Sequence, residues 1–287
     1  MLQAIINGIL TGCMYGVSAL GLSIIYGVTN VCNFAHGAII MIGMYVTYFL
    51  WTFLQVEVYA FIIPTFIIMF FIGALMQRII VKPVMKSKTG AMNVIFATTC
   101  LGWILENVIL LIFGSNYKIV ESSVKTASWV IGDIVIVQAK LYGALAAIII
   151  TLLLHLFLKK TDIGRSIRAT SQNKEAALTM GINSEKMFRI AFGLGCGVAG
   201  LAGLLFLPYF YCTPTVGHTF TTKAFIIVVL GGMGDINGAL LGGIIIGIIE
   251  TIGTLYLETS TVNMIVFAVF ILFLIFRPTG LLGKKEA

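Results

Sequence analysis

The chain has 287 residues, of which 59% are hydrophobic and only 10% charged, with 18 Lys and Arg against 11 Asp and Glu. Soluble domains carry roughly a quarter charged residues, and so little polar surface cannot cover the core of a chain this long. The composition excludes a soluble globular protein, a disordered chain and a collagenous one, and leaves an integral membrane protein of apolar helices.

The first 56 residues contain no Lys, Arg, Asp or Glu. The cationic leader of a cleavable signal is therefore missing, and the first apolar run, 3–27, is expected to stay in the membrane. Gly8, Gly12 and Gly16 recur every four residues in it, a flat stripe suited to close helix contact within the chain or with a partner. Asn33 and His36 follow in Asn33-Phe-Ala-His-Gly37. An imidazole in hydrocarbon needs a partner, so His36 marks either a transport path or a hydrogen bond to nearby backbone.

Further apolar runs lie at 38–55, 58–81 and 91–113, the last holding Glu106 and Asn107. A carboxyl group at that depth is expected to be protonated and hydrogen-bonded, or else paired or facing a cavity. The loop 114–140 comes next, and a small β-hairpin is expected around Gly132 and Asp133. A run at 141–158 leads into 159–189, which holds Lys159, Lys160, Arg165, Arg168, Lys174, Lys186 and Arg189 against Asp162, Glu175 and Glu185. Then come 190–210, 223–257 and 261–276. Gly193, Gly197, Gly200 and Gly203 form a second stripe, and Gly238, Gly242, Gly243 and Gly247 a third. Tyr209, Phe210 and Tyr211 suit an interfacial belt. The scattered Cys13, Cys32, Cys100, Cys196 and Cys212 suit packing rather than a disulfide frame or a metal site.

Cations orient the chain, because Lys- and Arg-rich short loops stay in the cytoplasm. The clusters at 78–88 (Arg78, Lys82, Lys86, Lys88), at 159–189 and in the tail (Arg277, Lys284, Lys285) are then all inside. The loop 114–140 and the N-terminus are outside. Topology accounts for these cations without nucleic acid. An even number of crossings must separate the last two clusters, so 223–257 supplies zero or two. Its centre, Gly231-Gly-Met-Gly-Asp-Ile-Asn-Gly238, is unfit for a continuous helix. A re-entrant hairpin or two short spans is expected, with irregular backbone lining a cavity or buried in protein. The polar break and apolar helix at 33–43 resemble those at 235–247, a weak internal repeat of the kind found in transporters.

The fold class expected is an all-α integral membrane protein, a polytopic bundle of about eight spans with broken or re-entrant helices. It forms one transmembrane domain over 1–287. Gly232-Met-Gly-Asp235 matches the Gly-x-Gly-Asp of intramembrane aspartyl proteases, which need a second carboxylate. The other aspartates, Asp133 and Asp162, fall in loops on opposite sides of the membrane, so no catalytic residue and no metal site is assigned.

The loop 159–189 carries the most local structure. Ser171 or Asn173 can cap a short helix through Glu175, Ala176 and Ala177, and Gly181 can stop it in the left-handed conformation. A short capped helix with a small-residue face, set off the membrane, is expected to dock in a groove of a cytosolic partner rather than serve as a plain connector.

The Glu-Ala-Ala-x-x-x-Gly pattern at 175–181 resembles the cytoplasmic loop of bacterial ABC-importer permeases. Four further blocks resemble one branch, the LivH-type permeases of the branched-chain (hydrophobic) amino acid importers. They are Tyr26-Gly-Val with Asn33 through Gly37, Gly164 through Asn183, Gly231 through Gly243, and the ending Arg277-Pro-Thr-Gly-Leu-Leu-Gly283. The resemblance implies a multi-pass subunit of a prokaryotic plasma (inner) membrane, paired with a homologous LivM-type permease. Two cytosolic ATPases and an extracytoplasmic amino acid binding protein would complete the importer.

The chain has no Gly-x-x-x-x-Gly-Lys-[Ser/Thr] and is expected to bind no cofactor, ATP being used by the partners. Coupling to the ATPases is expected at Glu175, Ala176, Ala177 and Gly181. The substrate path is expected beside Asn33, Phe34, His36, Gly37, Gly234, Asp235 and Asn237. A stand-alone secondary transporter or channel, or an ABC permease for urea or short amides, are the alternative readings.

Overall fold

The computed structural model describes residues 1–87, 89–121, 127–131, 134–277 and 279–283. The expected roles of Lys88, Gly132, Asp133, Lys284 and Lys285, and Pro278 of the closing motif, lie outside the described residues. With no water to satisfy amide and carbonyl groups, an uncharged apolar chain pairs them within itself, and the apolar runs are accordingly helices. They are α1 (Leu2–Thr29), α2 (His36–Leu54), α3 (Val58–Met85, with a π-helical turn at Gln77–Val81) and α4 (Gly90–Phe113). After a hairpin come α5 (Gln138–Lys160), α6 (Asp162–Gln172), α7 (Lys174–Thr179) and α8 (Ser184–Phe206). Next are α9 (Val216–Gly231), α10 (Ile236–Gly253) and α11 (Thr259–Phe276). Eight of these helices are long and apolar enough to cross a membrane, and α9 is a shorter apolar helix of 16 residues.

The hairpin pairs β1 (Ser128–Ile131) with β2 (Ile134–Val137) antiparallel, Trp129 opposite Ile136. Two residues separate the strands, the loop length that a tight hairpin turn requires. The hairpin lies at the end of the bundle away from the basic loops, with Lys118 and Cys212 bonded there backbone to backbone (N to O 3.0 and 2.9 Å). Tyr117 and Tyr211 meet edge to face at the same end, 5.0 Å between centroids.

The basic segments gather at the opposite end. Lys82 Nζ lies 2.6 Å from Glu185 Oε2, joining the end of α3 to the start of α8. The tail docks there too, Leu281 N donating to Leu230 O (2.9 Å) and Leu282 N to Gly231 O (3.1 Å). The run 223–257 therefore makes two crossings, α9 descending and α10 returning, as parity requires. The first of them begins at Val216 rather than at 223. Thr219, Thr221, Thr222 and Lys223 lower the hydropathy of its first half, and a Lys paired inside the protein does not end a membrane helix.

The core is α1 wrapped by α10, α8, α5 and α9, with α2 packed in turn on α8 and α9. Gly8, Gly12 and Gly16 meet Ile248, Ile244 and Leu240 of α10 in descending order, so the two helices run antiparallel at backbone contact. The first and third glycine stripes thus face each other. The second stripe receives Phe70, Phe66 and Met69 of α3 on Gly193, Gly197 and Gly200. All three are seams within the chain, not seams to a partner. Much of α4 and α11 instead shows exposed apolar side chains such as Trp103, Leu111, Ile271 and Phe276, as a lipid-facing surface does.

Candidate functional site

α1 ends at Asn30, whose left-handed backbone (φ 52°) lets its N–H bond back to Tyr26 O. Residues 30–35 then fold back along α1 instead of leaving it. His36, the first residue of α2, lies with Nε2 2.7 Å from the carbonyl oxygen of Ser18, about halfway along α1. The expected break at 33–37 is thus a helix start at mid-depth. Asn33 Oδ1 accepts from Ala35 N (3.1 Å) and Thr98 Oγ1 from Phe34 N (3.2 Å), which holds the reversal in place. Thr221 Oγ1 of α9 accepts from Gly37 N at 3.1 Å, satisfying one open donor of the new helix. A Cβ on Gly37 would strike the carbonyl of Gly217, so only glycine admits this approach of α9 to α2.

The second break, 232–235, sits at the inner end. Gly232 and Gly234 take positive φ (108° and 87°), and Gly234 packs against Gly27. Asp235 Oδ1 accepts from Gly238 N at 2.7 Å, an N-cap for α10. Gly280 and Gly283 of the tail lie against Gly232, which explains the closing Gly-Leu-Leu-Gly as a plug fitted to the break.

The structure does not bring the two breaks together. Ser18 and Gly21 face His36, whereas Ser23 and Gly27 face Asp235 and Gly234 on the opposite side of α1. Of the expected path residues, Asn33 and His36 are buried, Phe34 is 39% exposed, and Asn237 is exposed at the inner end. Phe34 and Gly217 line a cavity of about 130 Å³ with Gly102, Glu106, His218 and Thr221. Gly234 lines another of about 310 Å³ with Ser23, His155, Lys159 and Arg168.

Two side-chain pairs of these acids are not apparent from the sequence. Glu106 Oε2 lies 2.8 Å from His218 Nε2, and Glu250 Oε1 lies 2.5 Å from Lys223 Nζ. The acids stand out as charges inside apolar runs, but His218 was hidden in the stretch that hydropathy assigned to a loop, and Lys223 stood at the edge of a run. α9 thus carries His218 toward α4 and Lys223 toward α10. Glu250 is thus a paired acid within an apolar run. Among the described residues no group of three His, Cys, Asp or Glu side chains could hold a metal ion.

At the inner face, three caps in succession shape the loop. Thr161 Oγ1 accepts from Gly164 N (3.0 Å), Asn173 Oδ1 from Glu175 N and Ala176 N (both 3.0 Å), and Asn183 Oδ1 from Lys186 N (3.0 Å). Asn173, not Ser171, caps α7. Gly181 takes φ 79° and ends the turn, its N–H bonded to Leu178 O. Ala177 is buried against the bundle, while Glu175, Ala176, Leu178 and Met180 point outward, the last two 52% and 81% exposed.

This arrangement, a bundle with two broken helices and a capped helix displayed on its basic face, agrees with what comparison with known proteins shows. Residues 4–274 match the family model described as branched-chain amino acid transport system / permease component. The chain belongs to this family. It is 32% identical to the high-affinity branched-chain amino acid transport system permease protein LivH of Escherichia coli (strain K12), over 99% of this chain and 96% of that protein. It is 29% identical, over the same shares, to the permease protein BraD of Pseudomonas aeruginosa, and 32% identical to a probable LivH of Methanocaldococcus jannaschii over 84% of this chain and 78% of that one. No solved structure matches. The chain is a multi-pass inner-membrane permease of this class, a transport component and not itself an enzyme.

Proposed function

We propose that this chain is one membrane-spanning subunit of an ABC importer for branched-chain amino acids, moved by separate ATPase subunits. A homologous LivM-type permease would complete the membrane unit. Two cytosolic ATPases would bind below it, and an extracytoplasmic binding protein would dock near 114–140 and 208–222. The chain itself would hold no cofactor, ATP being consumed by the partners.

The observation that supports the coupling role is α7. Its caps fix a rigid turn, Ala177 ties it to the bundle, and Ala176, Leu178 and Met180 present an apolar tip to the cytosol. Pressure on Glu175, Ala176 and the Gly181 stop would pass through α6 and α8 into the helices that flank α1. The path would run past Phe34 and Gly37, with Asn33 and His36 holding that corner, and leave beside Gly234, Asp235 and Asn237.

The test is uptake of radiolabelled leucine in proteoliposomes holding the complete importer. Uptake that stops on ATP removal and persists when the proton gradient is collapsed supports the reading. Uptake that follows the gradient would establish a stand-alone carrier, and uptake of urea in place of leucine would move the substrate class to short amides.

A further inference from the structure

Lys223 and Glu250 do not sit in a sealed seam. They line a chamber of about 290 Å³ between α9, α10 and α11, near the lower end of the ~300–1,000 Å³ typical of small-molecule sites. Their side chains are 15% and 18% exposed. Glu250 lies just beyond Ile248, the residue of α10 that meets Gly8, so the chamber is in the outer half of the membrane, above the His36 corner. Thr222 and Asn263 supply neutral polar groups, and Ile246 and Phe267 supply apolar wall.

The pair is unfinished. Lys223 donates to Tyr15 Oη at 2.7 Å and to Glu250 Oε1, which leaves one of its three N–H groups. Glu250 Oε2 is buried and makes no hydrogen bond of its own, the Tyr15 hydroxyl being the polar group beside the carboxylate. Desolvating two charges costs several kcal/mol each, and a neutral pair of the same shape is commonly as stable. Stability alone therefore gives little reason for this pair inside hydrocarbon, where an ionisable residue is by default functional.

Resting on the amino acid substrate class proposed above, we propose that this chamber binds the zwitterionic head of the amino acid on its way through. The carboxylate takes the free N–H of Lys223, the ammonium takes Glu250 once its carboxylate turns the buried Oε2 toward the chamber, and the alkyl chain lies against Ile246 and Phe267. One opposite charge on each side makes the exchange nearly balanced, so the ligand enters without being trapped. A carboxylate without an amine, or an amine without a carboxylate, leaves one protein charge unanswered and is refused.

The experiment is equilibrium binding of tritiated leucine to the assembled permease and ATPase complex in nanodiscs, without the binding protein. Wild type is expected to bind saturably, with neither 4-methylpentanoate nor 3-methylbutylamine competing. The double variant K223M/E250Q is expected to bind about tenfold or more weakly, the equivalent of one charge-assisted hydrogen bond. T222W fills the chamber from an exposed position on α9 while keeping both charges, and is expected to lose binding with its melting temperature unchanged. Unchanged affinity in a folded T222W, competition by the two half-analogues, or absent binding in a complex that imports leucine would each overturn the site. A wild-type complex that imports no branched-chain amino acid would instead overturn the function on which the site rests.

Discussion

The imidazole of His36 donates through Nε2 to the carbonyl oxygen of Ser18, 18 residues earlier in the chain, at 2.7 Å. This contact sets the height at which α2 begins. It brings Gly37 under Thr221 of α9 and leaves residues 30–35 folded back inside the bundle. None of the cavities described above is lined by His36, which is fully buried. It holds the corner at which Phe34 lines a cavity and Gly37 packs against Gly217.

His36→Ala is accordingly expected to lower stability by about 1–3 kcal/mol, the cost of a lost buried hydrogen bond. The Michaelis constant for uptake should not move, whereas the maximal rate falls with the amount of folded protein. Thermal unfolding in detergent beside uptake kinetics checks this. A raised Michaelis constant at unchanged stability would put His36 in contact with substrate.

The α1–α10 seam makes a sharper stability forecast. A Cβ on Gly12 would lie 2.6 Å from Ile244 Cα and 2.7 Å from Gly243 O, both backbone atoms of a packed helix. Gly12→Ala is expected to cost about 1–3 kcal/mol through overpacking, and Gly12→Leu to prevent accumulation of folded protein. Gly102→Ala, where the nearest atom would be 3.4 Å away, should be tolerated. Equal melting temperatures for Gly12→Ala and Gly102→Ala would contradict the seam.

Asp235 separates a cap from a ligand group. Its side chain accepts from Gly238 N and starts α10 at the inner break. Asp235→Asn keeps an acceptor and should retain uptake, while Asp235→Ala should lose about 0.5–2 kcal/mol of stability. If Asp235→Asn abolishes uptake in a stably folded protein, the negative charge itself serves transport.

What the sequence made legible was what is decided locally. Asn173 and Gly181 announce α7 because a cap and a left-handed stop depend on a handful of neighbouring atoms. Charge parity called for a re-entrant hairpin or two short spans in 223–257, because the positive-inside rule acts on loops one at a time, and the segment is two antiparallel helices. Relations between distant elements were hidden. Glycine periodicity marks a contact face, but not that Gly12 faces Gly243 and Ile244 of the same chain. Nor does the pattern at 33–37 and 231–238 tell that α1 stands between the two breaks, since that depends on which side of α1 each neighbour occupies. Lys223 was passed over because hydropathy treats a lysine as the edge of a span, and its partner Glu250 is 27 residues away.

The proposed mechanism centres on motion imposed at α7, and one ratio measures it: leucine moved per ATP hydrolysed in proteoliposomes holding the complete importer. Ala176→Trp places a bulky ring on the exposed tip, and Gly181→Pro forbids the positive φ that ends the turn. Both are expected to leave insertion and assembly intact. Both should preserve ATP hydrolysis while cutting the ratio by about tenfold or more, a loss of about 1.4 kcal/mol or more in coupling. An unchanged ratio in fully assembled variants would contradict the coupling role of α7.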